Sequence, residues 1–326
     1  MRLYIDKENI TSLMKGRSEN TFLYNELLRY IKNGIEVQYN FEKKDEGDVF
    51  INTWISAAYS DGVKNKPIYC PPEDVFPTRP FTSLKKFTGD DLCSIYLLNF
   101  EKEDQARNIQ KKQSILVGKI GEEYDVLNKL QTLENKEVFA KDIASWKSYL
   151  PDFPLTDVVL CDPHYFDSED IYNQDGNKIL YSLCHEGQEQ INIVIITKSQ
   201  YIDKNKKLLD FEEECKNIKS KIQNKYRINN CKVTIVKING NYTFHSRHLI
   251  TNYYRVIHTS CFHLNNNLKD DVNTDIAPCT KSISNTITKG LLETFNNMIA
   301  RVKEPKKYKH VPEIYGDKKS NLLIFL

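Results

Sequence analysis

The chain predicts an α/β protein in which helices flank a mixed sheet. Three observations predict it. Apolar runs of strand length alternate with charged amphipathic segments through the second half, the pattern of helices layered on a sheet. With 40% hydrophobic and 11% aromatic residues, the 326-residue chain has enough apolar material for a packed core and excludes a mainly disordered protein. Gly and Pro number only 12 and 11, which excludes collagen-like and low-complexity chains.

Charge and targeting signals narrow the classes further. Forty-six Lys and Arg oppose 44 Asp and Glu, so a net charge of +2 gives no global pull toward nucleic acid or anionic lipid. Apolar runs such as Ile193 to Ile196 are far too short to span a bilayer. The opening Met1-Arg2-Leu3-Tyr4-Ile5-Asp6 lacks the apolar stretch of a signal peptide. A soluble, cytoplasmic protein without a membrane partner is expected. Cysteines at 70, 93, 161, 184, 215, 231, 261 and 279 include no C-x-x-C pair and no zinc-ribbon spacing. Buried reduced thiols are expected, as in a reducing compartment.

In the first half, Arg2 to Ile5 reads as a strand ending at Asp6. A helix is expected over 21–32, with Phe22, Leu23, Leu27, Leu28 and Ile31 on one face and Gly34 as its stop. Residues 35–41 alternate as a half-buried strand. Asp48 is placed to cap a helix carrying Phe50, Ile51, Trp54 and Ile55. The proline-rich stretch 66–80 predicts an irregular excursion. Strand character returns at 94–100 and 114–116, before a surface helix over 122–133. The two prolines in 146–154 mark a joint, and the boundary between an N-terminal α/β domain and a second domain falls near residue 140. The first half is a candidate partner-binding region or a diverged repeat of the second.

In the second half, Asp157 to Cys161 is an apolar strand leaving through Asp162-Pro163. A helix including 178–184 follows, then a buried strand over 191–197 and a charged amphipathic helix over 208–226. Strands over 231–238, 243–251 and 254–262 complete the order β-α-β-α-β-β-β.

The segment bearing the chemistry is Phe244-His245-Ser246-Arg247-His248-Leu249-Ile250-Thr251-Asn252. In a strand, residues two apart share a face, so His245 and Arg247 stand together. An imidazole beside a guanidinium suits a phosphodiester. The planar fork neutralises the non-bridging oxygens, and the imidazole attacks phosphorus or moves a proton. Here the sequence resembles the phospholipase D superfamily and its half-site H-x-K-x-x-x-x-D, with His245, Arg247 and Asn252 at the three positions. The strands before it follow the family's usual order, and the resemblance covers residues about 155–265.

That resemblance implies His245 as nucleophile or acid, Arg247 as phosphate clamp and Asn252 as an orienting group; Lys198 and Arg255 are candidate substrate-binding cations. It requires neither metal nor other cofactor, and it points to a nucleic-acid phosphodiester in a bacterial defence or mobile-element setting. Family enzymes pair two half-sites, whereas all seven histidines lie at 164 or later, so hydrolysis would need a homodimer joining two copies of His245. His164 reads as a packing residue of its loop. His258 and His263 are five apart, which is not a metal spacing.

Two other readings stay open. Ile5-Asp6-Lys7-Glu8-Asn9 resembles the opening of PIN-like NYN nucleases, which implies Asp6 as a divalent-metal ligand; Asp6 as a helix cap is the plainer reading. The other, ranked ahead of that nuclease, is a non-catalytic adaptor of a nucleic-acid or defence complex. Basic residues cluster around the helix near 208–226 and again at Arg301, Lys303, Lys306, Lys307, Lys309, Lys318 and Lys319, with Tyr308 and Tyr315 among them. Interleaved cations and aromatics suit a nucleic-acid backbone.

Overall fold

In the computed structural model the apolar runs become strands of two sheets, one in each of the two units, Met1–Gln131 and Thr132–Leu326, into which the chain divides. The structure describes residues 2–15, 36–39, 68–69, 95–97, 116–118, 153–166, 172–186, 188–198, 208–239, 246–258, 279–282 and 286–325, with 49, 52, 53, 56, 147 and 150.

In the first unit, β1 (Arg2–Ile5), β2 (Glu36–Tyr39), β3 (Ile68–Tyr69), β4 (Ile95–Leu97) and β5 (Leu116–Gly118) form a parallel sheet in the order β3-β2-β1-β4-β5. The chain builds outward from β1 on one side and then crosses to the other, so the switch point lies between β1 and β4. Tyr4, Ile5, Tyr96 and Leu97 are buried in it. Helix α1 (Lys7–Lys15) follows β1 directly and buries Ile10, Leu13 and Met14. A two-residue strand, β3, stands in the proline-rich stretch expected to be irregular. Of the helix expected after Asp48, the described residues 49, 52, 53 and 56 are helical. The helices expected over 21–32 and 122–133 lie outside the described residues.

In the second unit the sheet is mixed, in the order β11-β10-β9-β6-β7-β8-β12. Strands β6 (Asp157–Cys161), β7 (Gln190–Thr197) and β8 (Asn230–Lys237) are parallel and central. Burial on both faces explains why they read as near-continuous Val and Ile runs. Helices α2 (Tyr172–Ser182) and α3 (Phe211–Tyr226) connect them. Strands β9 (Arg247–Thr251), β10 (Tyr254–His258) and β11 (Cys279–Ser282) add antiparallel pairs beyond β6, and β12 (Glu313–Gly316) runs antiparallel beyond β8. Helix α4 (Thr286–Ala300) precedes two short 3₁₀ turns, Arg301–Lys303 and Pro305–Lys307. Parallel strands lie on both sides of β1 in the first sheet and on only one side of β6 in the second, so the two sheets differ in topology.

Register assigns each side chain a face. Val158, Leu160, Ile193, Ile195, Val233, Ile235 and Leu249 share one face. Tyr315 belongs to that face and meets Phe211 of α3 edge-on at 5.4 Å, and Phe211 in turn packs on Phe166 at 5.1 Å. Asp210 caps α3, accepting from the N–H groups of Glu212 at 2.9 Å and Glu213 at 3.2 Å. On the opposite face the buried Asp157 carboxylate accepts from the Asn321 N–H at 2.6 Å, Asn321 Nδ2 at 2.7 Å and Ser320 Oγ at 3.1 Å. The C-terminal segment is thereby fastened to the first strand of its own unit.

Candidate phosphodiester site at the carboxyl edge of the second sheet

The site is assembled by the turn that ends β6. Asp162-Pro163-His164-Tyr165 closes with the Tyr165 N–H on the Asp162 carbonyl at 3.2 Å, and Asp162 Oδ1 accepts the His164 N–H at 2.9 Å. Proline at the second position and aspartate at the first are the residues such a turn favours. Pro163 O fastens this turn to the end of β7, accepting the Lys198 N–H at 3.1 Å and Thr197 Oγ1 at 3.3 Å. Below it, the Tyr165 ring lies against Gly176 of α2, where a Cβ would come within 2.7 Å of the ring.

Antiparallel pairing of β9 with β6 sets Cys161 opposite His248, and one step further it sets Asp162 level with Arg247. Arg247 Nε lies 3.6 Å from Asp162 Oδ1, with side-chain exposures of 15% and 5%, so this charge pair sits in a largely enclosed edge of the sheet. His258, at the end of β10, is the register partner of Arg247. Thr197 and Lys237 end β7 and β8 at the same level, and Glu313 begins β12 opposite Lys237, at 3.7 Å. One edge of the sheet therefore gathers ionisable residues from β6, β8, β9, β10 and β12. It is the carboxyl edge of the parallel strands, where open α/β sheets hold their ligands. Exposed His164 and Lys198 flank it.

The sequence-predicted residues divide among several places. Arg247 and Lys198 come to this edge. His245 lies outside the described residues, two positions before Arg247. Asn252 does not join Arg247: it sits at the far end of β9, about 17 Å along the strand, and its buried side chain accepts the Thr156 N–H at 3.2 Å. The hairpin turn explains this. Thr251 Oγ1 accepts from the N–H groups of Tyr253 at 3.2 Å and Tyr254 at 3.0 Å, which turns Asn252 toward the start of β6. Arg255 is 2% exposed and belongs to the face opposite Arg247, with Ile250 and His248. His164, read from sequence as packing its loop, is exposed at the edge. Asp162 was missed as a site residue; its signal was an Asp-Pro directly after an apolar strand.

His248 occupies the covered face. Burial, aided by the Arg255 charge, lowers its imidazole from 6.5 to about 4, so it is neutral at physiological pH. Burial raises the Cys161 thiol well above its ordinary value, with the Asp162 charge adding to the effect. A thiol so held is inert, not a nucleophile.

In the first unit, Asp6 follows β1 at the switch point, its N–H on the Leu97 carbonyl at 3.1 Å. Its Oδ1 accepts from the Asn9 N–H at 2.9 Å and Asn9 Nδ2 at 2.8 Å, the geometry of an N-cap on α1. Among the described residues no three His, Cys, Asp or Glu side chains converge as a metal site requires. Nor is any helix among them long and apolar enough to cross a membrane. No family model matches the chain, and no curated protein is significantly similar to it.

Proposed function

We propose that the second unit is a phospholipase D-like domain that grips a nucleic-acid phosphodiester at the carboxyl edge of β6 to β8. The observation that carries this reading is the ion pair of Arg247 with Asp162, 3.6 Å apart at that edge, beside the exposed Lys198. Arg247 is the phosphate clamp: its fork suits two non-bridging oxygens, and Asp162 holds the guanidinium at Nε. Lys198 supplies a second, solvated positive charge.

In hydrolysis, a His245 nitrogen attacks phosphorus as the bond to the leaving oxygen breaks, and a second imidazole protonates that oxygen. Water then attacks phosphorus, giving its proton to the second imidazole, and the N–P bond breaks. The second imidazole comes from the twin His245 of a homodimer. The first unit binds a protein partner, and a bacterial defence or mobile-element system is the setting.

A non-catalytic adaptor is the second reading, and a specific observation favours it. The Arg247 charge is already offset by Asp162 at 3.6 Å, and position 252 carries an amide committed to Thr156 rather than a free carboxylate. Cleavage assays of single- and double-stranded DNA and RNA in EDTA, with wild type and His245→Ala, separate the two. Cleavage lost in His245→Ala supports the enzyme, and equal cleavage by both removes His245 from the chemistry. Salt-sensitive binding by a monomer without hydrolysis supports the adaptor. Activity that appears only with Mg²⁺ or Mn²⁺ and vanishes in Asp6→Asn would move the chemistry to the first unit.

A further inference from the structure

Residues 301–309 carry five cations against one carboxylate, Glu304, which is paired with Lys307 at 2.9 Å. Within this segment the Arg301 guanidinium lies 5.1 Å from the Tyr308 ring centroid, and the Lys307 ammonium lies 5.9 Å from it. Tyr308 is nevertheless 37% exposed. Lys303, Lys306 and Lys309 of the same segment are exposed. The segment runs directly into β12, whose first residue pairs with the last residue of β8. Asn239, just beyond β8, fastens the approach by donating to the Val311 carbonyl at 3.0 Å and to Glu313 Oε1 at 2.9 Å. The basic segment thus arrives at the same carboxyl edge as Arg247. Among the described residues of that edge, Asp162 is engaged with Arg247, and Glu313 with Lys237 and Asn239.

We infer that residues 301–310 form the second contact of a single-stranded nucleic-acid track that starts at Arg247 and ends with a base on Tyr308. From β9 to β12 the sheet is about 19 Å wide at the usual strand spacing. A single strand is the occupant because an unstacked base can meet the exposed part of Tyr308, which the paired bases of a duplex cannot. An anionic lipid surface fits less well: the two 3₁₀ turns are three residues each and present no apolar helix face. This inference rests on the Arg247 reading for the start of the track, and the variants below separate the two.

The test is fluorescence anisotropy of the full chain with labelled oligo-dT of about twelve nucleotides and with a duplex of equal length. Wild type, Tyr308→Ala, Tyr308→Phe and Arg247→Ala are compared. Wild type is expected to prefer the single strand, Tyr308→Ala to lose about tenfold on it with the duplex nearly unchanged, and Tyr308→Phe to retain binding. Normal single-strand affinity in Tyr308→Ala, with weakening in Arg247→Ala, would overturn the track and leave the Arg247 site standing. The reverse pattern would keep Tyr308 as a nucleic-acid contact and overturn Arg247 as the clamp. Tyr308→Ala that loses binding only to phosphatidylserine vesicles would make the segment a lipid contact and overturn the inference.

Discussion

Lowering the pH through the range in which His248 titrates should loosen the second sheet by a calculable amount. The imidazole is held neutral in the fold, at about 4 against an ordinary 6.5, because protonation would place a cation on the covered face near Arg255. The unfolded chain takes up the proton first. The stability that His248 secures is therefore complete above pH 6.5, declines as the pH falls, and is lost below about 4. At about 1.4 kcal/mol for each pH unit, the whole span is worth about 3 kcal/mol, and about 2 kcal/mol is gone near pH 5. Chemical denaturation across this window, with hydrogen exchange of β9 peptides as the local readout, should show the decline in wild type. His248→Gln should flatten it. NMR titration of the imidazole gives the second check. A ring that titrates at or above 6.5, or equal declines in wild type and His248→Gln, would refute the reasoning.

Asp162→Asn keeps the acceptor for the His164 N–H while removing the negative charge beside Arg247, so oligonucleotide affinity should rise about fivefold; unchanged or weaker binding would count against the clamp. Gly316 has φ 84, and a Cβ there would meet the Val233 carbonyl and come within 2.8 Å of Cys215 Sγ. Gly316→Ala should therefore cost about 2–4 kcal/mol in chemical denaturation, and a change below about 0.5 kcal/mol would contradict the packing described. Burial pushes the Cys215 and Cys231 thiols to about 12 and raises those of Cys161 and Cys184 further. All four should resist a thiol reagent at neutral pH until the protein is denatured; fast native labelling of any one, mapped by mass spectrometry, would show a breach in the core.

The parallel centre of the second sheet was legible because burial on both faces leaves uninterrupted apolar runs, and those at 157–161, 191–197 and 231–238 agree with the strands to within a residue. Helix α3 was legible from its amphipathic spacing, although its start shifts to Phe211 because Asp210 caps it. The edge strands were harder. β11, Cys-Thr-Lys-Ser, has one apolar residue and is defined by its pairing with β10, which no local pattern encodes. Helix α4 went unread because Thr286, Ile287, Thr288 and Gly290 weaken its first turns as a helix signal. In the candidate site, the motif spacing drew attention to Arg247 but misplaced Asn252. A seven-residue count spans the length of β9, and only the hairpin turn decides which end meets the phosphate.

The grip on Asp157 has a consequence for how the second unit is made. Besides Asn192 at 3.2 Å, its donors are Ser320 and Asn321, some 163 and 164 positions later in the chain. A growing polypeptide that has reached β8 holds three parallel strands, yet its Asp157 carboxylate still lacks those two later donors. Closing so distant a contact is slow, because loop entropy must be spent before the bonds form. Ser320 and Asn321 act as a keystone of this unit, closing on a strand that lies more than 160 positions earlier.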